Sequence, residues 1–258
     1  MTSGPVSLVL KALAGVPLVQ EGDDLCSLVL EAIAASGETL QTGDVVLLAQ
    51  KIVSKSEGRV IPVGEVTPSL RARELADVTG KDARLMQLVL DESAEVLRAV
   101  PGVIVVEHRL GFVAANAGID QSNVNPDGAD SFALLLPADP DRSCLKLRAS
   151  LQERTGVDVG VVVIDSFGRA WRNGTIGTAI GVSGIPALLD LRGKKDMFGR
   201  VLQTSEIGVA DELAAGASLI MGQAGEARPI VLARGFPYPA MEGVGQDLVR
   251  PRQMDLFR

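Results

Sequence analysis

Three oxygen-bearing side chains of the sequence could hold a divalent cation. Asp120 and Asp165 each stand at the edge of an apolar run in a polar, glycine-containing stretch, and Ser166 places a hydroxyl beside Asp165. A hard cation that carries nucleotide phosphates usually takes one or two protein carboxylates, with hydroxyls and water completing its coordination. The pattern therefore favours a metal site at these residues. Two plainer interpretations stay open, in which Asp120 is a turn residue and Asp165 caps a helix.

Phosphate-binding groups are the next candidates. The sequence contains neither a Walker pattern G-x-x-x-x-G-K-[ST] nor G-x-G-x-x-G after a strand, which disfavours the common nucleotide folds. Lys55, in VSKSEGR, and the backbone N–H groups of Gly222 and Gly225, in MGQAGEARP, could contact an anion. The alternatives are a solvated charge run over residues 51–59 and a helix C-cap at Gly222.

Further basic residues gather in the second half of an otherwise acidic chain. Arg169 and Arg172 flank the single Trp, and LRGKKD adds Arg192, Lys194 and Lys195. Arginine binds carboxylate or phosphate through a planar fork, so this cluster would suit an acidic small-molecule substrate. A solvated surface cluster explains the same charges equally well.

Composition excludes several classes of function. The 258 residues carry a formal charge of −7 and only 3% aromatic residues, which argues against nucleic-acid partners. His108 is the single histidine and no G-x-S-x-G elbow is present, so a Ser-His-Asp hydrolase is disfavoured. For His108 we expect a structural hydrogen bond rather than a catalytic role.

Cysteine usage and hydropathy indicate the compartment. Cys26 and Cys144 are too few for a disulfide framework or a four-ligand zinc site, which suits a reducing cytoplasm. The N-terminal run has no basic region of a signal peptide, and the longest uncharged stretch, 173–189, is too polar to span a membrane. We expect a soluble cytoplasmic protein with no membrane partner.

The elements that must position these residues follow from apolar spacing, which predicts a mixed α/β domain over residues 1–258. Asp23 is expected to cap a helix that ends near residues 36–37, and a strand at 44–50, covered on both faces, leads into a binding loop at 51–61. Two helices joined at 79–81 fill 69–100, and a strand follows at 102–108.

A long predicted loop, 111–130, carries Asn116, Asn123, Asn125 and Asp127. The remaining predicted elements are a strand at 131–137, a helix at 140–155, a strand at 159–164, a glycine-rich stretch at 173–186 admitting a close ligand or strand, a helix at 205–221 and a strand at 229–234.

Four long motifs in fixed order carry a family resemblance. They are GDVVLLAQKIVSKSEGRVI, GFVAANAGIDQSNV, VVVIDSFGRAWRNGTIGTAIGVSGI and MGQAGEARPIV. Together they resemble the coenzyme F420-0:L-glutamate ligase (F420-0:gamma-glutamyl ligase) family, over residues 15–234. The resemblance implies a two-lobed fold, neither Rossmann nor P-loop, in an intertwined homodimer. It also implies a GTP-dependent enzyme that joins the amino group of L-glutamate to the lactyl carboxylate of a deazaflavin precursor, with release of GDP and phosphate.

The same resemblance assigns roles to residues. It implies Mg²⁺ or Mn²⁺ held by Asp120, Asp165, Ser166 and Gln223, allows a potassium requirement, and makes Asp120, Asp165 and Lys55 catalytic. The implied GTP-binding residues are Gly15, Val16, Pro17, Leu18, Gln50, Lys55, Asn123, Met221, Gly222, Gln223, Ala224, Gly225, Glu226, Ala227 and Arg228. Two other functions stay open: a metal-dependent phosphotransferase acting on another acidic metabolite, and a GTP-binding protein without turnover.

Overall fold

The structure is a computed structural model that describes residues 6–124 and 132–255. Asn125 and Asp127 of the predicted loop lie outside the described residues. The strands are β1 (Val9–Ala12), β2 (Val45–Ala49), β3 (Val60–Pro62), β4 (Ser93–Val100), β5 (Val103–His108), β6 (Val113–Ala115), β7 (Phe132–Leu134), β8 (Gly160–Arg169), β9 (Arg172–Ser183), β10 (Leu189–Asp190), β11 (Glu206–Ile207) and β12 (Ile230–Arg234). The α-helices are α1 (Leu25–Ala35), α2 (Gln50–Ser56), α3 (Leu70–Thr79), α4 (Ala83–Asp91), α5 (Pro140–Thr155) and α6 (Val209–Met221).

A five-stranded mixed sheet forms the centre of the fold. Its strand order is β1-β12-β2-β8-β9, with β2 and β8 parallel and every other neighbouring pair antiparallel. Three smaller antiparallel sheets, β4-β5-β6, β3-β7 and β10-β11, surround it. The prediction of a mixed α/β fold is therefore confirmed, whereas the division into two lobes stays a prediction.

Helices cover both faces of the central sheet, as the continuous apolar character of β2 predicts. Val46 and Leu48 belong to a core shared with α1 and α5, and Val45 and Leu47 belong to a second core shared with α6. Successive strand residues point to opposite faces, so a strand buried on both sides needs an unbroken apolar sequence.

Capping residues fix where the helices begin. The predicted N-cap of α1, Asp23, is wrong by one position, since Asp24 accepts the Cys26 and Ser27 N–H groups at 3.0 and 3.3 Å. Asp23 instead accepts the N–H of Gln20 in the preceding turn. Side-chain capping satisfies N–H groups that the first helical turn leaves unpaired.

The region 69–100 combines two helices and a strand. The junction at Gly80 is confirmed, because Gly80 ends α3 in the left-handed region at φ 70°. The helical interpretation of Val96 and Leu97 is wrong, since both lie on β4, which pairs antiparallel with β5. A short apolar segment of this kind does not distinguish helix from strand, and its pairing with β5 decides the outcome.

Two glycines of β9, Gly177 and Gly181, allow helices to approach the strand closely, rather than a ligand or another strand. A Cβ at Gly177 would collide with the carbonyl oxygen of Ala214 on α6, and one at Gly181 would lie 2.5 Å from Pro140 on α5. Glycine in a strand often marks such a close backbone approach.

Two further boundaries differ from the prediction. The strand predicted at 159–164 continues to Arg169, so Asp165 and Ser166 lie inside β8, and α6 starts at Val209 rather than residue 205.

Every helix within residues 6–124 and 132–255 is too short or too polar to cross a membrane.

Candidate active site

A cleft of about 1640 Å³ opens where the parallel strands β2 and β8 end. Ala49, the last residue of β2, pairs with Ile164, so α2 and the outer part of β8 start from the same edge of the sheet. The segment 221–229 reaches this edge too, because it precedes β12, which runs antiparallel to β2. Ligands of open α/β sheets bind beside the carboxyl ends of strands, and this cleft has that position.

Two lysines project into the cleft from α2. The predicted binding loop at 51–61 is wrong, because its first part forms this helix, where Lys51 and Lys55 are four residues apart and share a face. The Lys51 Nζ lies 2.7 Å from Asp120 Oδ2 and donates to Ser122 Oγ at 2.7 Å. The Lys55 Nζ donates to the Asn123 carbonyl oxygen at 2.7 Å. The helix thus holds the loop at 120–123 by charge and hydrogen bonding.

Asp120 forms an isolated antiparallel bridge with Leu134 just before the turn at 122–123, so its interpretation as a turn residue is wrong, and it lines the cleft. Its backbone exchanges hydrogen bonds with Leu134 at 3.0 and 2.8 Å, and its Oδ1 accepts the Ser122 N–H at 2.7 Å. Burial acts to raise the pKa of the Asp120 carboxyl, but the hydrogen bonds from Lys51 and the Ser122 N–H outweigh it and lower that pKa. Asp120 is therefore an ionised group of the cleft lining at neutral pH.

Asp165 occupies a different electrostatic environment. It lies inside β8, so its interpretation as a helix cap is wrong. Burial, together with the negative charge of Asp120, raises the pKa of the Asp165 carboxyl to about 6, against the Ser166 N–H and the charge of Lys51. Both carboxylates line the cleft, and the charge of Asp120 contributes to the rise in the pKa of Asp165.

The segment after α6 forms another wall. Ser166 Oγ donates to Gln223 Oε1 at 2.8 Å, and Gln223 Nε2 donates to Ser218 Oγ at 2.9 Å. Gly222 is the C-cap of α6, and its N–H donates to the Ser218 carbonyl at 3.3 Å. The alternative interpretation of Gly222 is thus correct, and its N–H is not free for an anion. Since a helix C-terminus carries partial negative charge, the end of α6 disfavours an anion, whereas Lys51 and Lys55 of α2 favour one.

Gln50, the first residue of α2, presents an amide to the cleft. The side chain is 1% exposed, and its Oε1 accepts a hydrogen bond from Ser54 Oγ at 2.8 Å. Its Nε2 is buried and has no hydrogen-bond partner within the described residues. Leaving a buried donor unpaired is costly, so a ligand acceptor at this position would satisfy it.

The structure brings nearly all the predicted site residues into this one cleft. Beside the residues described above, the lining includes Val16, Pro17, Leu18, Asn123 and the whole segment 221–228. Gly15 lies outside the lining; its backbone has a φ of 78°, and a Cβ there would lie 3.4 Å from Ala35. The Asn123 Nδ2 donates to the Ala224 carbonyl at 3.1 Å, which joins the two loops on opposite sides of the cleft.

The residues present fit a hard divalent cation. The candidate donors are two carboxylates, the Ser166 hydroxyl and the Gln223 amide oxygen, all oxygen ligands, and the last two already lie 2.8 Å apart. No group of three or more His, Cys, Asp or Glu side chains suited to a metal occurs in the described part of the chain. This set therefore suits a cation that shares its coordination with substrate phosphates and water, rather than one enclosed by protein.

Comparison with known proteins identifies the family. The model of the F420-0:gamma-glutamyl ligase family matches residues 15–235. The chain belongs to this family. The coenzyme F420:L-glutamate ligase of Methanothermobacter thermautotrophicus is 46% identical over 246 residues, 95% of this chain and 96% of the relative. The proteins of the same name from Methanocaldococcus jannaschii and Archaeoglobus fulgidus are 44% and 43% identical over 219 and 244 residues, covering 85% and 95% of this chain and 86% and 94% of each relative.

Membership of the F420-0:gamma-glutamyl ligase family confirms the predicted resemblance and makes the chain a ligase. The cleft contains two residues that sequence reasoning did not assign to the site, Ser122 and Phe167, and also Lys51, which fell in the predicted binding segment 51–61 without a role of its own. The signal that could have found Lys51 was its spacing from Lys55, which places both on one helix face. Arg252 and Asp255 also line the cleft, from a C-terminal segment outside the matched range.

Only one residue of the predicted basic cluster, Arg169, lines the cleft. Arg169 and Trp171 line the cleft, whereas Arg172 is outside its lining. Arg192 pairs with Asp190 and Glu206 at 2.7 and 3.2 Å, and Lys194 and Lys195 also fall outside the lining. The surface alternative is correct for residues 192–195, since pairing within the β10–β11 hairpin and exposure to water account for them.

His108 is structural, as expected. It is fully buried, its Nδ1 accepts the Leu110 N–H at 3.0 Å, and its ring stacks on Phe112 at 4.9 Å. His108 is absent from the cleft lining, so its imidazole cannot exchange protons with a ligand bound there.

Proposed function

We propose that the chain is a GTP-dependent ligase that joins L-glutamate to coenzyme F420-0 through an amide bond, adding one or more glutamates and releasing GDP and phosphate. The observation that carries the proposal is that Asp120 and Asp165 line one cleft together with Lys51 and Lys55, and that Lys51 pairs with Asp120. The family supplies the substrate class, since the relatives are named coenzyme F420:L-glutamate ligases.

Amide formation requires activation of the acceptor carboxylate. A carboxylate oxygen of the acceptor attacks the γ-phosphorus of GTP, the bond to the β-phosphate oxygen breaks, and GDP leaves. The glutamate amine, in its neutral form, then attacks the carbon of the acyl phosphate. Phosphate departs with the bonding electrons, and the amine gives up a proton, so the products are an amide, GDP and phosphate.

Two lysine side chains offset the electrostatic repulsion between the acceptor carboxylate and the γ-phosphate of GTP. Lys51 and Lys55 both line the cleft, and burial together with the charge of Lys51 lowers the pKa of the Lys55 ammonium. Positioned donors in a water-poor cleft stabilise developing negative charge more strongly than water does. In this proposal Lys55 contacts the transferred phosphoryl group, and Lys51 holds Asp120 through their ion pair.

Asp120, Asp165, Ser166 and Gln223 would hold Mg²⁺ or Mn²⁺. Such an ion, when bound, neutralises phosphate charge and lowers the barrier to attack on phosphorus. Asp120 contributes an ionised carboxylate, and Ser166 and Gln223 orient one another through their hydrogen bond. A potassium ion remains part of the proposal, without assigned ligands.

The nucleotide is proposed to lie between α2 and the segment 221–228. The side chains of Val16, Pro17 and Leu18 offer an apolar surface for a base, and the buried Gln50 Nε2 offers an unpaired donor. An apolar pocket with a few fixed polar groups is the usual form of a small-molecule site.

The decisive experiment is mass spectrometry of coenzyme F420-0 after incubation with the purified chain, L-glutamate, GTP and Mn²⁺. A mass increase by a glutamyl unit, with one phosphate released per amide, supports the ligase. Phosphorylated acceptor without amide would favour a phosphotransferase, and GTP binding without acceptor-dependent phosphate release would favour a non-catalytic protein. ATP replaces GTP in a parallel reaction, and equal rates with the two nucleotides would contradict the GTP preference.

A homodimer is also proposed, because the segment between β10 and β11 exposes a large apolar tip. Met197 and Phe198 are 95% and 93% exposed, and contiguous apolar surface of this kind usually marks an interaction site. Light scattering should give twice the chain mass of 27.0 kDa, and Phe198→Ser should shift the protein towards monomer. A monomeric wild-type protein would contradict the proposal.

A further inference from the structure

The three-stranded sheet β4-β5-β6 turns one face to the cleft and the other to a core of its own. Ile104 and Val106 of β5 are buried in the core that this sheet shares with α3 and α4. Val105, between them, points to the opposite face and lines the cleft. A residue of β4 that lies directly opposite Val105 therefore shares the cleft face.

A β-bulge in β4 puts Arg98 on that face. Val96 and Ala99 both pack against the core under the sheet, and strict alternation from Val96 would send Arg98 into the same core. The register instead shifts after Val96, with Leu97 as the additional residue. Arg98 consequently lies opposite Val105, and it lines the cleft. Bulges beside active sites commonly redirect a side chain in this way.

The guanidinium of Arg98 has no carboxylate partner in the described part of the chain. Glu95 and Glu107 lie opposite one another on the same face, and Arg252 bridges them with N–O distances of 2.7 and 3.5 Å. These two carboxylates therefore already have a cation. Within residues 6–124 and 132–255, Arg98 makes neither a side-chain hydrogen bond nor an ion pair. Its five N–H donors form a planar fork that matches a carboxylate.

The strand order places Arg98 at a distance from the candidate metal carboxylate on β8. The β6 side of the sheet adjoins β8, because Phe112, next to β6, contacts Phe167 of β8 with ring centroids 5.1 Å apart. β4 is at the opposite edge of the sheet. At about 4.8 Å between neighbouring strands, β4 lies roughly 10 Å across the sheet from β6. An anion held by Arg98 therefore belongs to a part of the ligand remote from Asp165.

We propose that Arg98 binds the side-chain carboxylate of L-glutamate and selects this amino acid as the amine donor. The inference rests on the proposed function, in which the glutamate amine attacks an acyl phosphate beside Asp120 and Asp165. The α-carboxylate is attached to the same carbon as the amine, so it must lie near the reacting groups. The side-chain carboxylate is at the other end of the molecule, where Arg98 is placed to meet it.

The chemistry of the three substrates favours glutamate as the ligand of Arg98. The residues proposed for GTP come from α2 and the segment 221–228, which flank β2 and β12 of the central sheet, whereas Arg98 belongs to a separate sheet. The acceptor is a planar ring system whose reacting carboxylate lies beside Asp165 in the proposal, so its recognition depends less on a remote cation. The groups of glutamate that do not react are two carboxylates, and binding them requires cationic donors.

The choice between L-glutamate and L-glutamine tests the inference, since the two amino acids differ only in the side-chain carboxylate. With coenzyme F420-0, GTP and Mn²⁺, the full-length wild type should use glutamate with a kcat/KM at least about a hundredfold above that for glutamine. In Arg98→Gln, the KM for glutamate should rise at least about tenfold and this preference should fall by a similar factor. The KM values for GTP and the acceptor should change less than about twofold, because neither contacts Arg98 in the proposal.

Two further variants separate recognition from structure. Arg98→Lys keeps the charge without the fork, so it should recover part of the glutamate affinity. Arg73→Gln, an exposed arginine of α3 outside the cleft lining, should behave as wild type. Amide formation with an unchanged glutamate KM in Arg98→Gln would overturn this inference alone, as would a rise confined to the KM of the acceptor or of GTP. Absence of amide product from wild type would overturn the proposed function, and the inference with it.

Discussion

The Lys51 ammonium lies 2.7 Å from the Asp120 carboxylate, and this ion pair gives the two candidate metal carboxylates different charge environments. Hydrogen bonding from Lys51 lowers the pKa of Asp120, whereas burial and the nearby charge of Asp120 raise the pKa of Asp165 to about 6. Two carboxylates whose environments separate their pKa values are typical of catalytic sites.

The substitution Lys51→Gln should reduce ligation while tightening metal binding. Without the ammonium, the loop at 120–123 loses its ion pair and two hydrogen bonds, and the site becomes more negative. We expect kcat to fall roughly a hundredfold, as on removal of a positioned donor. The half-saturating Mn²⁺ concentration should fall as well, measured by titrating the reaction with Mn²⁺.

Lys146→Gln serves as the matched control, because Lys146 is an exposed lysine of α5 outside the cleft lining. Lys146→Gln should leave kcat and the half-saturating Mn²⁺ concentration unchanged. Weaker Mn²⁺ binding in Lys51→Gln would contradict the assignment of Lys51 as the neutralising partner of Asp120.

Asp165→Asn should abolish GTP turnover and leave the fold intact. Burial disfavours the charged carboxylate of Asp165, so a neutral amide of the same shape should hold or slightly raise the melting temperature. Loss of a ligand and of its charge should lower acceptor-dependent phosphate release by at least about a hundredfold.

Asp211→Asn provides the comparison, since burial also raises the pKa of Asp211, whose Oδ1 accepts the Ala179 N–H at 2.8 Å away from this cleft. This variant should keep its turnover. Metal-dependent ligation at near wild-type rate in Asp165→Asn would reject the metal assignment.

The sequence predicts the central layer well because burial on both faces leaves a clear pattern. β2, β8 and β12 appear as apolar runs, and α5 has both an N-cap aspartate and a glycine at its end. Asp120 and Asp165 could be selected because each stands at the edge of an apolar run, although Asp165 lies inside β8 rather than in a loop after a strand.

Local pattern fails where tertiary contacts decide the structure. The segment that contains Lys51 and Lys55 is rich in charge and precedes a glycine, so it is typical of a loop, yet packing of Ile52 and Val53 onto the core forms a helix. The role of Gly177 depends on α6, which is distant in sequence, so its neighbours give no sign of the contact. The positive φ of Trp171 could not be predicted from the sequence either, because turn propensity favours glycine at such a position.

Gly177→Ala should destabilise the fold. A Cβ at this position would overlap the Ala214 carbonyl and the Ser218 side chain on α6, so the helix would have to move away from β9. Overpacking of this kind typically costs about 1–3 kcal/mol, which urea unfolding can measure. Gly64→Ala is the control, because nothing lies within 4 Å of a Cβ there. Equal stability of the two variants would show that α6 is not closely packed on β9.

Glu92 should make stability depend on pH in the acid range. Its carboxylate lies 2.8 Å from Arg59 Nη2, 3.1 Å from Arg109 Nε and 3.6 Å from His108 Nε2. Burial acts to raise the pKa of Glu92, but the nearby His108 ring, the hydrogen bond from Arg59 and the charges of Arg59 and Arg109 lower it from 4.5 to about 2. A pKa lowered by folding means that the unfolded chain binds the proton more readily.

The stabilisation from Glu92 is therefore complete above pH 4.5 and is lost as the pH falls from there towards 2. The shift corresponds to a loss on the order of 3 kcal/mol in the free energy of unfolding across that interval. Urea unfolding at a series of pH values measures how the free energy of unfolding falls as the pH drops below 4.5. This fall should be less steep for Glu92→Gln than for wild type, and the variant should be less stable at pH 7. Glu31→Gln, on the exposed face of α1, should retain the wild-type slope. Parallel acid slopes for wild type and Glu92→Gln would show that the three basic neighbours do not hold this carboxylate ionised.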